Sequence, residues 1–308
     1  MASLRTWFKA TQPHSFVASL VGVALGTAIA WDHGRTFDPL GFVLAAAGVV
    51  CLHAGTNMSN DSIDFRRGVD DLPPNLVSPF TGGARVLPDR AISVEAHRRV
   101  WIGLYAVGGV IGLALAVTRP GGWILLILGG LGAVIGLFYT LPPIALQYHG
   151  AGEAAVVVIF GPLVVLGAYA VQRGALAWEP LFASLPLGLL VAAFLLVNEM
   201  PEHETDPKGG KRTIPARIGL ANSVRLYEAL VALAFLLLIG LAASNGITWV
   251  ALIGLIAFLP LRRALKVLRT HYREFPAHIP ANAGTIQAVL LLGVSMTLAY
   301  IIAGTTNL

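Results

Sequence analysis

Along most of this chain, apolar residues neither alternate with polar ones nor follow a single helical stripe. They run unbroken and then stop. Nine such stretches occur, at about Phe16 to Trp31, Pro39 to Thr56, His97 to Val117, Gly121 to Tyr139, Glu153 to Val171, Glu179 to Asn198, Val224 to Ala243, Gly246 to Val267 and Asn282 to Ala303. Each comes near the roughly 20 residues that a helix needs to cross a bilayer. A helix that is apolar all round belongs inside lipid or a large core. The pattern predicts an all-α polytopic membrane protein with nine transmembrane helices in a single domain, residues 1–308.

Two of these stretches end in an unusual way. The second runs into Asn57-Met-Ser-Asn-Asp-Ser-Ile-Asp64, where Asn57, Asn60, Asp61 and Asp64 stand at i, i+3, i+4 and i+7, one face of a helix. The sixth runs into Asn198, Glu202 and Asp206 at i, i+4 and i+8, again one face, with Pro201 free to bend the helix and Pro207 to end it. A single polar helix end is readily explained as capping or solvation. Two, each led by Asn and each closing a span, point to a site, because ionisable groups at membrane depth are costly without a task.

Composition agrees with the pattern: 56% of the 308 residues are hydrophobic and 12% charged, well below the roughly 25% charged of a soluble domain. The net charge of +5 does not indicate nucleic-acid binding, because the basic residues lie in short loops between spans, where they set orientation. Of the 21 Lys and Arg, all but Arg35, Arg119 and Arg173 fall on one side when nine spans are threaded through the bilayer. That side is the cytoplasm by the positive-inside rule, which places the N-terminus inside and the C-terminus outside the cell membrane. Arg5 and Lys9 ahead of the first span resemble a signal-peptide head, but the spans that follow make it a retained helix. The lone Cys51 excludes an intrachain disulfide and a cysteine metal cluster. Tyr148 and His149, in a cytoplasmic connection without Lys or Arg, read best as interface anchors.

The residue types in the two acidic stretches define their chemistry. Carboxylates and carboxamide oxygens are hard ligands that select Mg²⁺ over softer metals, and Mg²⁺ binds through one or two carboxylates together with substrate phosphates. Two facing clusters could hold Mg²⁺ with a diphosphate between them. Lys208, Lys211 and Arg212 of KGGKRT, with Arg66 and Arg67, are placed to neutralise the remaining phosphate charge.

The stretches NDSIDFRRGVD and NEMPEHETDPKGGKRT resemble the two aspartate motifs of the UbiA superfamily of intramembrane aromatic prenyltransferases. YTLPPIALQYHGAGE, the following VVVIFGPLVVLGAYAVQ and the loop SPFTGGARVLPDRAIS resemble the 1,4-dihydroxy-2-naphthoate prenyltransferase branch, which serves menaquinone biosynthesis. The resemblance covers about Trp7 to Gly219. It implies nine helices around a central cavity, with a polyprenyl diphosphate and Mg²⁺ held between the motifs and the active site facing the cytoplasm. By position, Asp61, Asp64, Glu202 and Asp206 would be catalytic metal-binding acids and Asn57 and Asn198 further metal ligands. Asn60, Lys211, Arg212, Arg66, Asp70 and Tyr139 would contact the substrates. Glu202 stands where Asp is more usual, and Gln12-Pro13-His14 stands where many members have Arg-Pro, so no role follows for that segment.

The implied reaction is Mg²⁺-dependent transfer of a polyprenyl group to an aromatic acceptor, most simply 1,4-dihydroxy-2-naphthoate. Tyr139, Tyr148 and Tyr169 are candidates to face an allylic cation or to wall the cavity. Alternatives are the same chemistry on a 4-hydroxybenzoate, a chlorin or a glycerol-phosphate ether, and, from another class, a secondary transporter. Transport sites lie near the bilayer midplane, whereas both clusters here close spans at one face.

Overall fold

The computed structural model describes residues 2–69, 78, 80 and 83–306. Every regular element among them is helical: α1 Leu4–Ala10, α2 Phe16–Gly34, α3 Pro39–Arg66, α4 Val94–Thr118, α5 Gly122–Leu137, α6 Gly152–Val158, α7 Val164–Arg173, α8 Trp178–Glu199, α9 Ile214–Ile218, α10 Leu220–Ala243, α11 Phe258–His271 and α12 Phe275–Thr306. The π-helical turn Ile159–Leu163 joins α6 to α7 around Pro162 and the non-helical Gly161, so Gly152–Arg173 crosses as one helix.

Seven helices are long and apolar enough to span a membrane, and α5, with 16 residues, is a shorter apolar helix. The protein is an integral membrane protein. The stretch expected as the eighth span, Gly246 to Val267, splits: a 3-10 segment, Trp249–Ala257, leads into α11, which carries Arg262, Arg263, Lys266 and Arg269.

Helix α3 sets the scale. Asp38 caps it by accepting the Gly41 N–H at 2.9 Å, and Pro39 fills the first turn, where no N–H is needed. Its 28 residues rise about 42 Å, against a hydrocarbon core of about 30 Å. The last turns, which hold Asn57 to Asp64, therefore continue past the apolar layer as helix rather than loop.

Helix α8 is the most enclosed, followed equally by α2 and the Gly152–Arg173 span, while α4 presents Val110, Leu113 and Val117 outward and α10 presents Leu236 and Ile239. In lipid such surfaces are satisfied by acyl chains, and helix association rests on close packing and polar contacts. Gly26 of α2 shows how close: a Cβ there would lie 2.1 Å from the Val165 carbonyl oxygen of α7. Hydrogen bonds between Thr56 and Tyr105 (2.7 Å) and between Tyr227 and Thr285 (2.8 Å) tie α3 to α4 and α10 to α12.

Candidate active site

The two acidic stretches meet at one end of the bundle. Asp64, on the last turn of α3, is the hub. Its Oδ1 accepts the Tyr148 hydroxyl at 2.6 Å, and its Oδ2 accepts Lys211 Nζ at 2.8 Å and Asn60 Nδ2 at 3.2 Å. Asp61, one turn earlier, accepts Gln12 Nε2 at 2.9 Å and the Ala84 N–H at 3.2 Å. That N–H comes close because the preceding Gly83, at φ +61°, has no side chain: a Cβ would sit 2.5 Å from Asp61 Oδ1. Val86, Leu87 and Ile92 pack with Met58 and Ala10 and hold this loop against α3. Asn57 Nδ2 donates to the Thr11 carbonyl and to Ser15 Oγ, which fixes its carboxamide.

The second stretch is not a continuous helix. α8 stops at Glu199, a 3-10 turn follows at Met200–Glu202 and another at Asp206–Gly209. Pro201 has no N–H to give and its ring crowds the carbonyl four residues back, so the i, i+4, i+8 face cannot extend to Asp206. The chain instead doubles back. Lys211 N–H donates to the Asp206 carbonyl at 2.9 Å, and Lys211 Nζ lies 2.8 Å from Asp64 and 3.9 Å from Asp206 Oδ1. Burial opposes the Lys211 charge, but Asp206, Asp64 and Glu202 outweigh it and hold the ammonium well above its ordinary pKa. Burial pushes the Asp206 carboxyl up, assisted by the Asp64 charge and opposed by Lys211 and by Thr213 Oγ1, which donates to Asp206 Oδ2 at 3.0 Å.

These groups close one end of a cavity of about 310 Å³. Leu44 and Asp61 both line it and are separated by about 25 Å of rise along α3. The polar end carries Asn57, Asp61, Asp64, Asn198, Glu202 and Lys211; His53, Tyr139, Phe160 and Phe194 follow, and Leu115, Leu125 and Val171 line the apolar far end.

Several expected residues lie elsewhere. Asp206 is fully buried behind Lys211 and does not reach the cavity wall. Arg66 and Arg212 are exposed and off the wall; the Arg212 N–H donates to the Tyr148 carbonyl. Asp70 lies outside the described residues. Tyr169 bonds His33 at 2.8 Å, away from the cavity. Tyr148 is no interface anchor: it is buried, bonded to Asp64 and covered by the Arg67 guanidinium at 4.2 Å. His149 stays exposed and bonds only nearby carbonyls.

Other residues of the site carry no spacing signal. Gln147 accepts Asn60 Nδ2 on its oxygen and donates from its nitrogen to Glu199 Oε1, both at 3.0 Å, so its amide orientation is fixed. Glu199 lines the cavity beside Asn198. Gln12 supports Asp61, and His53 bonds Ser19 and Ser15 at mid-depth.

The donor set fits Mg²⁺. Asn198 Oδ1 and Asp206 Oδ1 are buried without a hydrogen-bond donor among the described residues, and Asp61, Asp64 and Glu202 add carboxylates, hard oxygen donors throughout.

The profile of the UbiA prenyltransferase family matches residues 19–279. This chain belongs to that family. Among its relatives, UbiA prenyltransferase domain-containing protein 1 of Xenopus tropicalis is 34% identical over 235 residues, 75% of this chain and 65% of that protein. The UbiA-family chain described here therefore spans somewhat less than two thirds of that relative's length. The 1,4-dihydroxy-2-naphthoate octaprenyltransferase of Bacillus subtilis is 27% identical over 296 residues, 95% of this chain and 91% of that enzyme. A UbiA homologue from Archaeoglobus fulgidus bound to GPP and Mg²⁺ has the same fold, with a TM-score of 0.60 over 96% of this chain and 99% of that one at 15% identity.

Proposed function

We propose that this UbiA-family protein transfers a polyprenyl group from its diphosphate to an aromatic acceptor, with 1,4-dihydroxy-2-naphthoate the leading acceptor. The observation that carries this reading is a cavity with acids, carboxamides and Lys211 at one end and about 20 Å of largely apolar wall beyond it, from Asn57 to Leu44 along α3. A diphosphate with a long hydrocarbon tail has that same division. The naphthoate enzyme of Bacillus subtilis, similar over nearly the whole of both chains, supports the choice of acceptor. The GPP and Mg²⁺ of the archaeal homologue support the choice of donor and metal.

Asp61, Asp64, Asn198 and Glu202 would hold Mg²⁺, and Asn57 and Asp206 would support them from the edge and from behind. When bound, Mg²⁺ supplies Lewis-acid stabilisation of the departing diphosphate. Lys211 places a fixed positive charge at the same end, where charge accumulates as the allylic carbon–oxygen bond breaks. Tyr139, Phe160 and Phe194 surround the cavity just below, so the allylic cation would face aromatic rings rather than water. The apolar walls keep water from competing with the acceptor ring.

Nine crossings are completed by counting α5 and the Trp249–His271 unit with the seven longer helices, in one transferase domain over residues 1–308. The basic residues, gathered on one side of such a threading, support a site at the cytoplasmic face of the cell membrane. The test is product mass spectrometry after incubating the purified full chain with a polyprenyl diphosphate and 1,4-dihydroxy-2-naphthoate. The expected result is a prenylated naphthol product with Mg²⁺ and none with EDTA. Transfer that persists in EDTA, or none under any metal, would overturn the reading.

A further inference from the structure

The basic residues of α11 take no part in the chamber, and they sit on a helix whose surface changes abruptly. From Trp249 to Leu261 the chain carries no charge, and Leu255, Ile256, Phe258 and Leu259 stand exposed. In an integral membrane protein such a row faces acyl chains. One turn further on, Arg262, Arg263, Lys266 and Arg269 are all exposed, while Leu261, Ala264 and Leu268 are buried in the main core. Arg262, Lys266 and Arg269 recur at i, i+4 and i+7, one face of the helix. The result is a basic amphipathic helix that begins where an apolar surface ends.

The depth of that boundary follows from length. The 3-10 segment Trp249–Ala257 has 9 residues and rises about 18 Å, and the turn from Phe258 to Leu261 adds about 6 Å. The total of about 24 Å is short of the hydrocarbon core of about 30 Å, so the bases that follow are drawn to the phosphate layer rather than carried clear of it. Arg262 and Arg263 lie at that layer, and Lys266 reaches it by laying its stem back along the helix. Most of their bonding capacity is unused. Arg269 donates to Glu228 at 2.6 Å and Arg273 lies over the Tyr272 ring at 5.5 Å, but Arg262, Arg263 and Lys266 have no acidic partner among the described residues. Arg98 and Arg99, at the start of α4, show the other arrangement, since both bond Glu95.

We propose that Arg262, Arg263 and Lys266 form a binding site for the headgroup of an anionic phospholipid, whose acyl chains lie along Leu255, Ile256, Phe258 and Leu259. Guanidinium groups suit a phosphodiester because each offers it two N–H donors at once. A zwitterionic headgroup carries its own ammonium, which three neighbouring bases repel. The site is independent of the reaction in the chamber.

Native mass spectrometry of the full chain in detergent, titrated with phosphatidylglycerol or with phosphatidylcholine, gives the affinity for each lipid. The wild type is expected to bind phosphatidylglycerol at least about tenfold more tightly, since each base beside an anionic lipid corresponds to about fivefold. Arg262→Gln alone should weaken phosphatidylglycerol by about that fivefold, and Arg262→Gln, Arg263→Gln and Lys266→Gln together should erase the preference. Arg98→Gln with Arg99→Gln removes exposed bases elsewhere and should leave it within about twofold. A wild type that binds phosphatidylcholine as tightly, a triple variant that keeps the preference, or an α4 variant that loses it would each overturn the site. Inorganic phosphate that displaces phosphatidylglycerol at equal concentration would make the site one for a free anion and overturn it as well. Should the triple variant fail to fold, Arg262→Gln decides, and an unchanged affinity there overturns the proposal. No substrate enters the measurement, so its failure leaves the prenyltransferase reading standing.

Discussion

The two ends of the bundle are both polar, and they are built on opposite plans. At the end formed by Asp61, Asp64, Glu202 and Lys211, the charged groups face a cavity, and Asn198 keeps an oxygen without a donor. At the other end the charged groups are bonded to neighbouring helices. His33 bridges Tyr169 and Glu179, both at 2.8 Å, and Tyr300 donates to Glu179 at 2.9 Å. Arg119 reaches Asp38 at 2.6 Å, and Gln172 exchanges two hydrogen bonds with the Asp38 backbone. That end latches α2, α7, α8 and α12 together, and none of these bonded groups lines the cavity. Charge at the end of a span is thus not itself a sign of chemistry; unspent bonding capacity facing a chamber is.

Substitutions at the two ends should separate stability from activity. The largest effect is expected for Lys211→Met, which strands Asp64 and Asp206 as buried acids; about 3–5 kcal/mol of stability should be lost along with transfer, seen as a fall in both thermal midpoint and product. Asp61→Asn keeps the size and most of the hydrogen bonds, so kcat/KM should drop about 100- to 1000-fold while thermal unfolding stays near wild type. If Asp61→Asn unfolded the protein as readily as Lys211→Met, the first acidic stretch would be a latch like the opposite end. Glu179→Ala frees His33 and Tyr300 and should cost about 1–3 kcal/mol, with kcat/KM at a permissive temperature unchanged. A Glu179→Ala protein that is stable but inactive would erase the distinction. The smallest change is expected for Arg119→Gln, no more than about 1 kcal/mol for a partly exposed pair, measured by the same unfolding assay with activity as the control.

How much of this was legible in the chain follows from what each signal assumes. Unbroken apolar runs gave the spans closely, because crossing lipid demands length and hydrophobicity and little else; α4 and α10 lie within a few residues of the expected limits. The face Asn57-Asn60-Asp61-Asp64 held, since α3 continues unbroken to Arg66. The second motif was misread in shape because its spacing presumed one helix, and Pro201 ends that geometry. The same template passed over Glu199, one position out of register with Asn198. Gln147, Tyr148 and Gln12 belong to the site through contacts 49 to 84 residues away in the chain, which no local spacing records. The expected eighth span, Gly246 to Val267, is apolar only in its first half, where the 3-10 segment lies, and its basic second half belongs to a different element, α11.

The π turn at Ile159–Leu163 can be put as arithmetic. Val156, Phe160, Val164 and Ala168 all line the cavity at steps of four residues, and in a regular helix each such step drifts about 40° from the one before. Over the three steps that drift would carry the last of them about 120° off the chamber. The single extra residue of a π turn takes up most of that angle. Removing one residue from 159–163 would give a straighter helix of better local geometry, and it would rotate one half against the other by about 100°, so that α7 would offer the cavity a different face.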